Sequence, residues 1–254
     1  MQRKNYTKKL DMKQNSKTGL YESQYWHPAV TTDAVVFGFD GSKLNVLLVK
    51  RDNDPFRDTW ALPGGFIREE DETAADGVYR ELHEETNVKD IYLEELKTFS
   101  KKDRDPRERV ITIVYFALVK MKKYEIKGGD DAKEAKWFPI DELPTLAFDH
   151  NEIIQTAIDR LRERIHFTPI GFDLLDDLFT MQQLQAIYIA ILNPPKDDKK
   201  LRDRRNFPRK MLKLGYIKET EQKVTGTPYK QPKLYTFDKE AYDNAKKIGM
   251  RLEF

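Results

Sequence analysis

Glu81, Glu84 and Glu85 follow one another at i, i+3 and i+4 in the stretch Arg80-Glu81-Leu82-His83-Glu84-Glu85. If Thr73 to Thr86 is helical, their carboxylates share one face. Like charges so placed repel unless cations neutralise them. The pattern therefore asks for lysine partners on a solvated face or for a bound ion. The other side of the helix is apolar through Ala75, Val78 and Leu82, as docking on a core requires. A hard divalent cation that takes oxygen ligands, Mg²⁺ (or Mn²⁺), is the natural partner. Thr73 can cap the helix, and Asp76 three positions later completes a capping box. Gly77 inside the helix costs about 1 kcal/mol relative to Ala and marks close packing on a strand. His83 is expected to be a solvated side chain.

Upstream stand Glu72 and the turn Pro63-Gly64-Gly65-Phe66. Together these residues resemble the Nudix box, G-x5-E-x7-R-E-U-x-E-E-x-G-U with U apolar. Glu72, seven residues, then Arg80-Glu81-Leu82-x-Glu84-Glu85 matches it directly. The resemblance implies a metal held by Glu81, Glu84 and Glu85, and a brace between Glu72 and Arg80 that fixes the loop against the helix. Two positions depart from the pattern. Gly65 is separated from Glu72 by six residues instead of five, which raises the question whether the loop still delivers Glu72 to Arg80. Asn87 stands where the family has Gly, and Asn tolerates the left-handed backbone of a helix C-terminus.

The chain has 254 residues and no cysteine, which excludes disulfides and thiolate metal sites and fits a cytoplasmic setting. No apolar run reaches the roughly 18–20 residues of a membrane span. Residues 1–22 read as a basic tail without fixed structure and lack the apolar core of a secretory signal. The net charge of +2 hides an asymmetry: residues 1–20 carry about +5, residues 21–195 about −11, and residues 196–254 about +8. Two domains with different partners follow, and the last suits a polyanion.

Along the acidic part, Val30–Phe39 and Leu44–Val49 read as strands joined at Asp40-Gly41. Ile91–Leu96, Val110–Val119 and Glu134–Phe138 are also strand-like. Asn151–Arg164 is helical, with Ile154, Ala157, Ile158 and Leu161 on one stripe. This predicts an α/β fold, a mixed sheet between helices, which the resemblance specifies as a Nudix α/β/α sandwich over 23–168.

From 169 to 254 the pattern changes. Thr180 with Gln183 caps a helix striped by Leu184, Ile187, Tyr188 and Ile191. A second helix starts near Asn206, a candidate N-cap, because Pro208 is tolerated only in a first turn. Tyr216–Lys218 and Lys233–Phe237 then frame a polar loop. Two helices and a β-hairpin outline a winged helix-turn-helix. Arg204, Arg205, Asn206, Arg209, Lys210 and Lys213 lie on or beside its second helix, where a recognition helix meets the major groove. Lys223 and Lys230 on the wing suit phosphates. The alternative is a solvated basic helix on a dimerisation module.

With this second domain the resemblance extends to the Nudix-related transcriptional regulators of bacteria. It is carried by Ala34–Gly38, Trp60–Phe66, Asp103–Val110, Phe148-Asp149-His150 and Arg204–Lys210. It implies a homodimer on a palindromic double-stranded operator and a ligand that is ADP-ribose or, in another branch, arabinose. Gly64, Gly65, Arg104, Arg107 and Arg109 would meet that ligand, and three arginines favour one with phosphates. On the residues alone, the arginine loop could equally be solvated. The box, with all its carboxylates, also implies hydrolysis of ADP-ribose to AMP and ribose 5-phosphate. The residues do not identify a general base: Glu108 is a weak candidate, and a metal-bound hydroxide needs none. A dedicated ADP-ribose pyrophosphatase with a dimerisation domain is the other reading.

Overall fold

The computed structural model describes residues 16, 19, 25–68, 72–129, 132–166, 168–224 and 231–247. Nearly all of the expected N-terminal tail, and Lys230, lie outside them.

The first domain is built on a mixed sheet. β1 (Ala29–Phe39) runs parallel to β6 (Val110–Lys120) along its whole length, and β5 (Glu94–Phe99) closes that side antiparallel to β6. The other edge of β1 is divided. Its second half pairs with β2 (Leu44–Arg51), while Thr31–Asp33 pair with the short β4 (Gly64–Phe66). β2 continues outward to β3 (Trp60–Ala61) and β7 (Ala132–Pro139). The edge of β1 thus splits between Asp33 and Phe37, and the split opens a crevice in the sheet.

Alternation along β1 sends Ala34 and Val36 to one face, Val35 and Phe37 to the other. Helix α1 (Ala74–Thr86) covers the first face with Val78 and Leu82. Helix α2 (His150–Arg164) covers the second with Ile153, Ile154, Ala157, Ile158 and Leu161. The layers are the mixed sheet between helices that the sequence predicts and the α/β/α sandwich that the resemblance implies. The β1–β2 connection is tied by Asp40, whose Oδ1 accepts the Ser42 and Lys43 N–H groups at 2.7 Å each. Strand β5 begins three residues later than the sequence reading placed it. The apolar Ile91 and Leu93 pack under α1 before the ladder starts.

The second domain contains α3 (Met181–Leu192), α4 (Asn206–Lys213), the hairpin β8 (Ile217–Lys223) and β9 (Lys233–Phe237), and α5 (Lys239–Lys247). α3 opens with the expected capping box between Thr180 and Gln183. α4 does start at Asn206, but Asn206 is helical and is not the cap. Asp203 does that work: its Oδ1 accepts the N–H groups of Arg205 and Asn206 at 2.8 Å each. β8 runs to Lys223, longer than the predicted three residues, because its pairing with β9 resumes after an irregularity at Lys223–Lys233. α5 is an addition that the sequence reading did not foresee. Its Ala241, Tyr242 and Ala245 pack on the same core.

The apolar core on the α2 side continues without a break into the second domain. Polar ties cross the same junction. Lys120 at the end of β6 donates to the Leu175 carbonyl at 2.5 Å and to Asp176 at 2.8 Å. Arg162 near the end of α2 donates to the Ile191 carbonyl at 3.1 Å.

Candidate functional site

The Pro63-Gly64-Gly65 turn lies at the split edge of β1 and has no room for side chains. A Cβ on Gly65 would sit 2.4 Å from Oε1 of Glu81. One on Gly64 would sit 2.2 Å from the Thr32 carbonyl oxygen, on a backbone with φ of +156°. Freed of side chains, the turn brings its peptide groups up to α1. The Gly64 N–H donates to Oε2 of Glu85 at 2.9 Å.

α1 is seated by the capping box between Thr73 and Asp76 and ends at Asn87 in the left-handed conformation (φ +61°). Gly77 faces Thr32 of β1: a Cβ there would lie 3.5 Å from Oγ1 of Thr32. Arg80 is the hub of the acidic face. Its Nε and Nη2 grip the two oxygens of Glu72 at 2.7 and 3.0 Å. Nη1 donates to Glu81 at 2.7 Å and to Glu84 at 3.0 Å. Nη2 also donates to the Phe66 carbonyl at 3.2 Å. The six-residue spacing therefore still delivers Glu72 to Arg80. Arg80, with the Arg68 N–H, holds the Glu72 carboxyl down at about 2. His83 is exposed, as expected.

The three carboxylates do not share one point. Glu81 and Glu84 turn to the Arg80 guanidinium, while Glu85 is buried beneath the glycine turn. Among the described residues no three carboxylate or imidazole groups converge at ligating distance. The cations that neutralise the acidic face in this structure are thus Arg80 and, on Glu84, Arg68. Glu85 has no such partner. Burial pushes it up to about 8, Glu81 and Asp33 add to the shift, and the Gly64 N–H opposes it. Burial also raises Glu81, against Arg80. Two desolvated carboxylates, Glu85 raised further by its neighbour Glu81, are donors a hard divalent cation would relieve, so the residues fit such an ion.

The crevice beside them is a cavity of about 330 Å³. Gly64, Gly65, Glu81, Glu84, Glu85, Arg80, Arg104 and Arg107 all line it, as does Arg51. The three arginines of the 104–109 loop have separate fates. Arg104 is buried and locked on Asp149 by two bonds of 2.8 and 3.0 Å, so it anchors the start of α2 and forms the cavity wall. Arg107 pairs with Asp105 and lies over the rings of Phe66 and Phe148, 5.2 and 5.8 Å from their centroids. Arg109 does not reach the cavity. It shares Ile111's side of the strand and, with Trp26, lines a separate depression; Glu108 lines the same depression.

Four residues of the cavity escaped the sequence reading as ligand-facing groups. Arg51 lies over the Phe148 ring at 5.0 Å, and burial, with Arg107 nearby, pulls its pKa down. Asp33 accepts from Thr112 at 2.6 Å. A lone carboxylate within the apolar run of β1 was the signal for it. His150 accepts the Leu62 N–H at 2.8 Å through Nδ1, so its proton sits on Nε2, and burial keeps the ring neutral. Phe148 joins the two arginines; it and His150 belong to the Phe148-Asp149-His150 stretch that carried the resemblance.

On the second domain, Arg204, Arg205, Asn206, Arg209, Lys210 and Lys213 are all exposed along or just before α4, while Phe207 and Met211 on its inner side are buried. Lys223 is exposed at the end of β8.

Residues 27–158 match the model of the NUDIX domain. The chain belongs to the Nudix family. Residues 171–237 match the NrtR DNA-binding winged helix domain, so this Nudix protein carries a winged helix at its C-terminal side. It is 34% identical over 227 residues to an ADPR responsive transcriptional repressor of Acinetobacter baylyi, covering 87% of each chain. It is 43% identical over 153 residues to an ADP-ribose pyrophosphatase of Methanocaldococcus jannaschii, covering 60% of this chain and 84% of that one. The Shewanella oneidensis NrtR crystallised with a 27mer DNA superposes with a TM-score of 0.64 at 30% identity, covering 88% of this chain and 97% of the other. Nudix pyrophosphatases generally use a divalent metal. Among the described residues no helix is long and apolar enough to cross a membrane.

Proposed function

We propose that this Nudix protein is an ADP-ribose-responsive transcriptional repressor of the cytoplasm, acting as a homodimer on double-stranded DNA and retaining the means to hydrolyse its effector. Residues 23–168 would bind ADP-ribose and residues 169–254 the operator. The observation that carries this reading is the joining, in one chain, of a box that keeps all its carboxylates and is braced by Glu72 and Arg80 with an exposed basic helix on a winged domain. The similarity to a named ADPR responsive repressor spans both domains.

In the cavity, Arg51 and Arg107 face the position a diphosphate would take, and a neutral pentose such as arabinose has no use for two guanidinium groups. Gly64 and Gly65 let the ligand approach the peptide backbone. Glu81, Glu84 and Glu85 would hold Mg²⁺ (or Mn²⁺), which supplies positive charge to the diphosphate and acidity to a bound water. Arg80 positions Glu81 and Glu84, and its bond to Glu72 ties the loop to the helix. His150 offers a fixed Nε2–H donor at the cavity wall. On the DNA side, Arg204, Arg205, Asn206, Arg209, Lys210 and Lys213 would meet the duplex with α4, and Lys223 and Lys230 would meet phosphates.

A gel shift on the gene's own upstream DNA, with ADP-ribose and Mg²⁺ and followed over time, tests both halves. Release by ADP-ribose, reversed as the ligand is consumed, is the expected outcome. Absence of any shift at modest salt would remove the repressor reading. Glu84→Gln is expected to abolish turnover and leave DNA binding intact, so that release persists.

A further inference from the structure

Two phenylalanines stand in the left-handed backbone region, the exposed Phe56 at φ +64° and the partly buried Phe148 at φ +52°. That region is an outlier for bulky side chains, and such strain gathers at ligand clamps. Chain folding brings the two together: their rings meet edge to face, with centroids 4.8 Å apart. Burial does not explain the pair, since Phe56 is 41% exposed. The loop that presents Phe56 is firmly held. Thr59 donates twice to the Phe56 carbonyl, at 3.2 Å from its N–H and 2.6 Å from its hydroxyl. Arg51, which lines the main cavity, donates to the Pro55 carbonyl at 3.0 Å.

Phe56 and Phe148 form one wall of a groove of about 480 Å³ that also carries Lys101, Lys102 and Asp149. The groove shares Phe148 and Arg104 with the carboxylate cavity, so one extended ligand could lie in both. Arg51 already lies over Phe148, and Arg107 over the equally exposed Phe66, which leaves Phe56 as the ring without a guanidinium on it. We propose that Phe56, propped by Phe148, is the stacking platform for the nucleobase of the ligand whose phosphates lie against Arg51 and Arg107. This rests on the reading of the cavity as an ADP-ribose site. A pre-placed ring stacks on a base without paying to order itself. Trp26, 67% exposed in the depression on the other side of the 104–109 loop, is the rival platform. Among the described residues, however, it has no ring against it.

The experiment is calorimetric titration of the full-length protein in EDTA, where nothing turns over, with ADP-ribose and with inorganic pyrophosphate as a probe without a base. Phe56→Ala is expected to weaken ADP-ribose about tenfold and to leave pyrophosphate within about twofold. Phe56→Trp is expected to restore ADP-ribose binding. Unchanged ADP-ribose binding in Phe56→Ala would overturn the proposal, and so would equal losses for both ligands. Loss on Trp26→Ala instead would move the base to the other groove. A wild-type protein that takes pyrophosphate and refuses ADP-ribose would overturn the ligand reading itself, and the platform with it.

Discussion

At the scale of single residues, the site depends on what is missing at position 65. The Gly65 backbone is one that any residue adopts, so alanine would be tolerated by the chain but not by its neighbour. Its Cβ would fall 2.4 Å from the Glu81 carboxylate and displace it from Arg80. Gly65→Ala should therefore lower kcat for ADP-ribose roughly ten- to hundredfold, with little change in melting temperature or DNA binding. Steady-state assays beside thermal melts check this. The Glu72–Arg80 brace makes a second prediction, with a definite sign. Arg80 holds Glu72 at about 2 against an ordinary 4.5. A depressed carboxyl contributes its stability above the unfolded pKa and loses it as pH falls through the folded one. The melting-temperature gap between wild type and Glu72→Gln should be full at pH 7 and shrink steadily between about pH 4.5 and pH 2. A gap that does not vary with pH would show that the brace is not ionic. The box residues were legible because each has a fixed offset along a helix or to the turn before it. The loop arginines were not: spacing in a loop says nothing about facing. Arg104 went to Asp149, Arg107 to the cavity and Arg109 to a neighbouring depression beside Trp26.

At the scale of elements, the sequence was clearest where a helix begins. Both capping boxes, at Thr73 and Thr180, stand as the spacing predicts. Pro208 locates the start of α4 at Asn206 but not its cap, because Asp203 works from outside the helix and accepts the Asn206 N–H. Tertiary pairing, invisible along the chain, lengthened β8 and moved the start of β5. α1 carries the carboxylates proposed to hold the metal, so on that proposal its cap bears on catalysis as well as folding. Thr73→Ala should cost about 1 kcal/mol in urea denaturation, since it removes the acceptor for the Asp76 N–H. Loosening the first turn of α1 should lower kcat more than it raises KM, because Glu72, which Arg80 grips, stands directly before the cap.

The whole molecule is an acidic sandwich joined to a basic winged helix through a shared apolar core and the ties of Lys120 and Arg162. That charge division was readable in composition; the continuity of the core was not, because no local pattern records which faces of two domains meet. The division governs how DNA is held. If the exposed cations of α4 mainly neutralise phosphates, each contact releases counterions and log K falls against log salt with a slope of about −0.9 per phosphate. Arg209 is exposed on α4, one turn beyond its start. As a phosphate contact in both protomers of a dimer, its replacement by alanine should make the slope shallower by about 1.8 and weaken all sequences alike. As a reader of a guanine edge, the same change should leave the slope nearly intact and cost about 1–3 kcal/mol on the operator alone. Placement favours the second outcome, because the first turns of a recognition helix enter the major groove while wing lysines such as Lys223 meet the backbone. Arg209→Ala should thus relax specificity and Lys223→Ala should flatten the salt dependence. Fluorescence anisotropy on operator and scrambled DNA across a salt series separates the two, and the reverse assignment would mean that α4 lies along the backbone instead of in the groove.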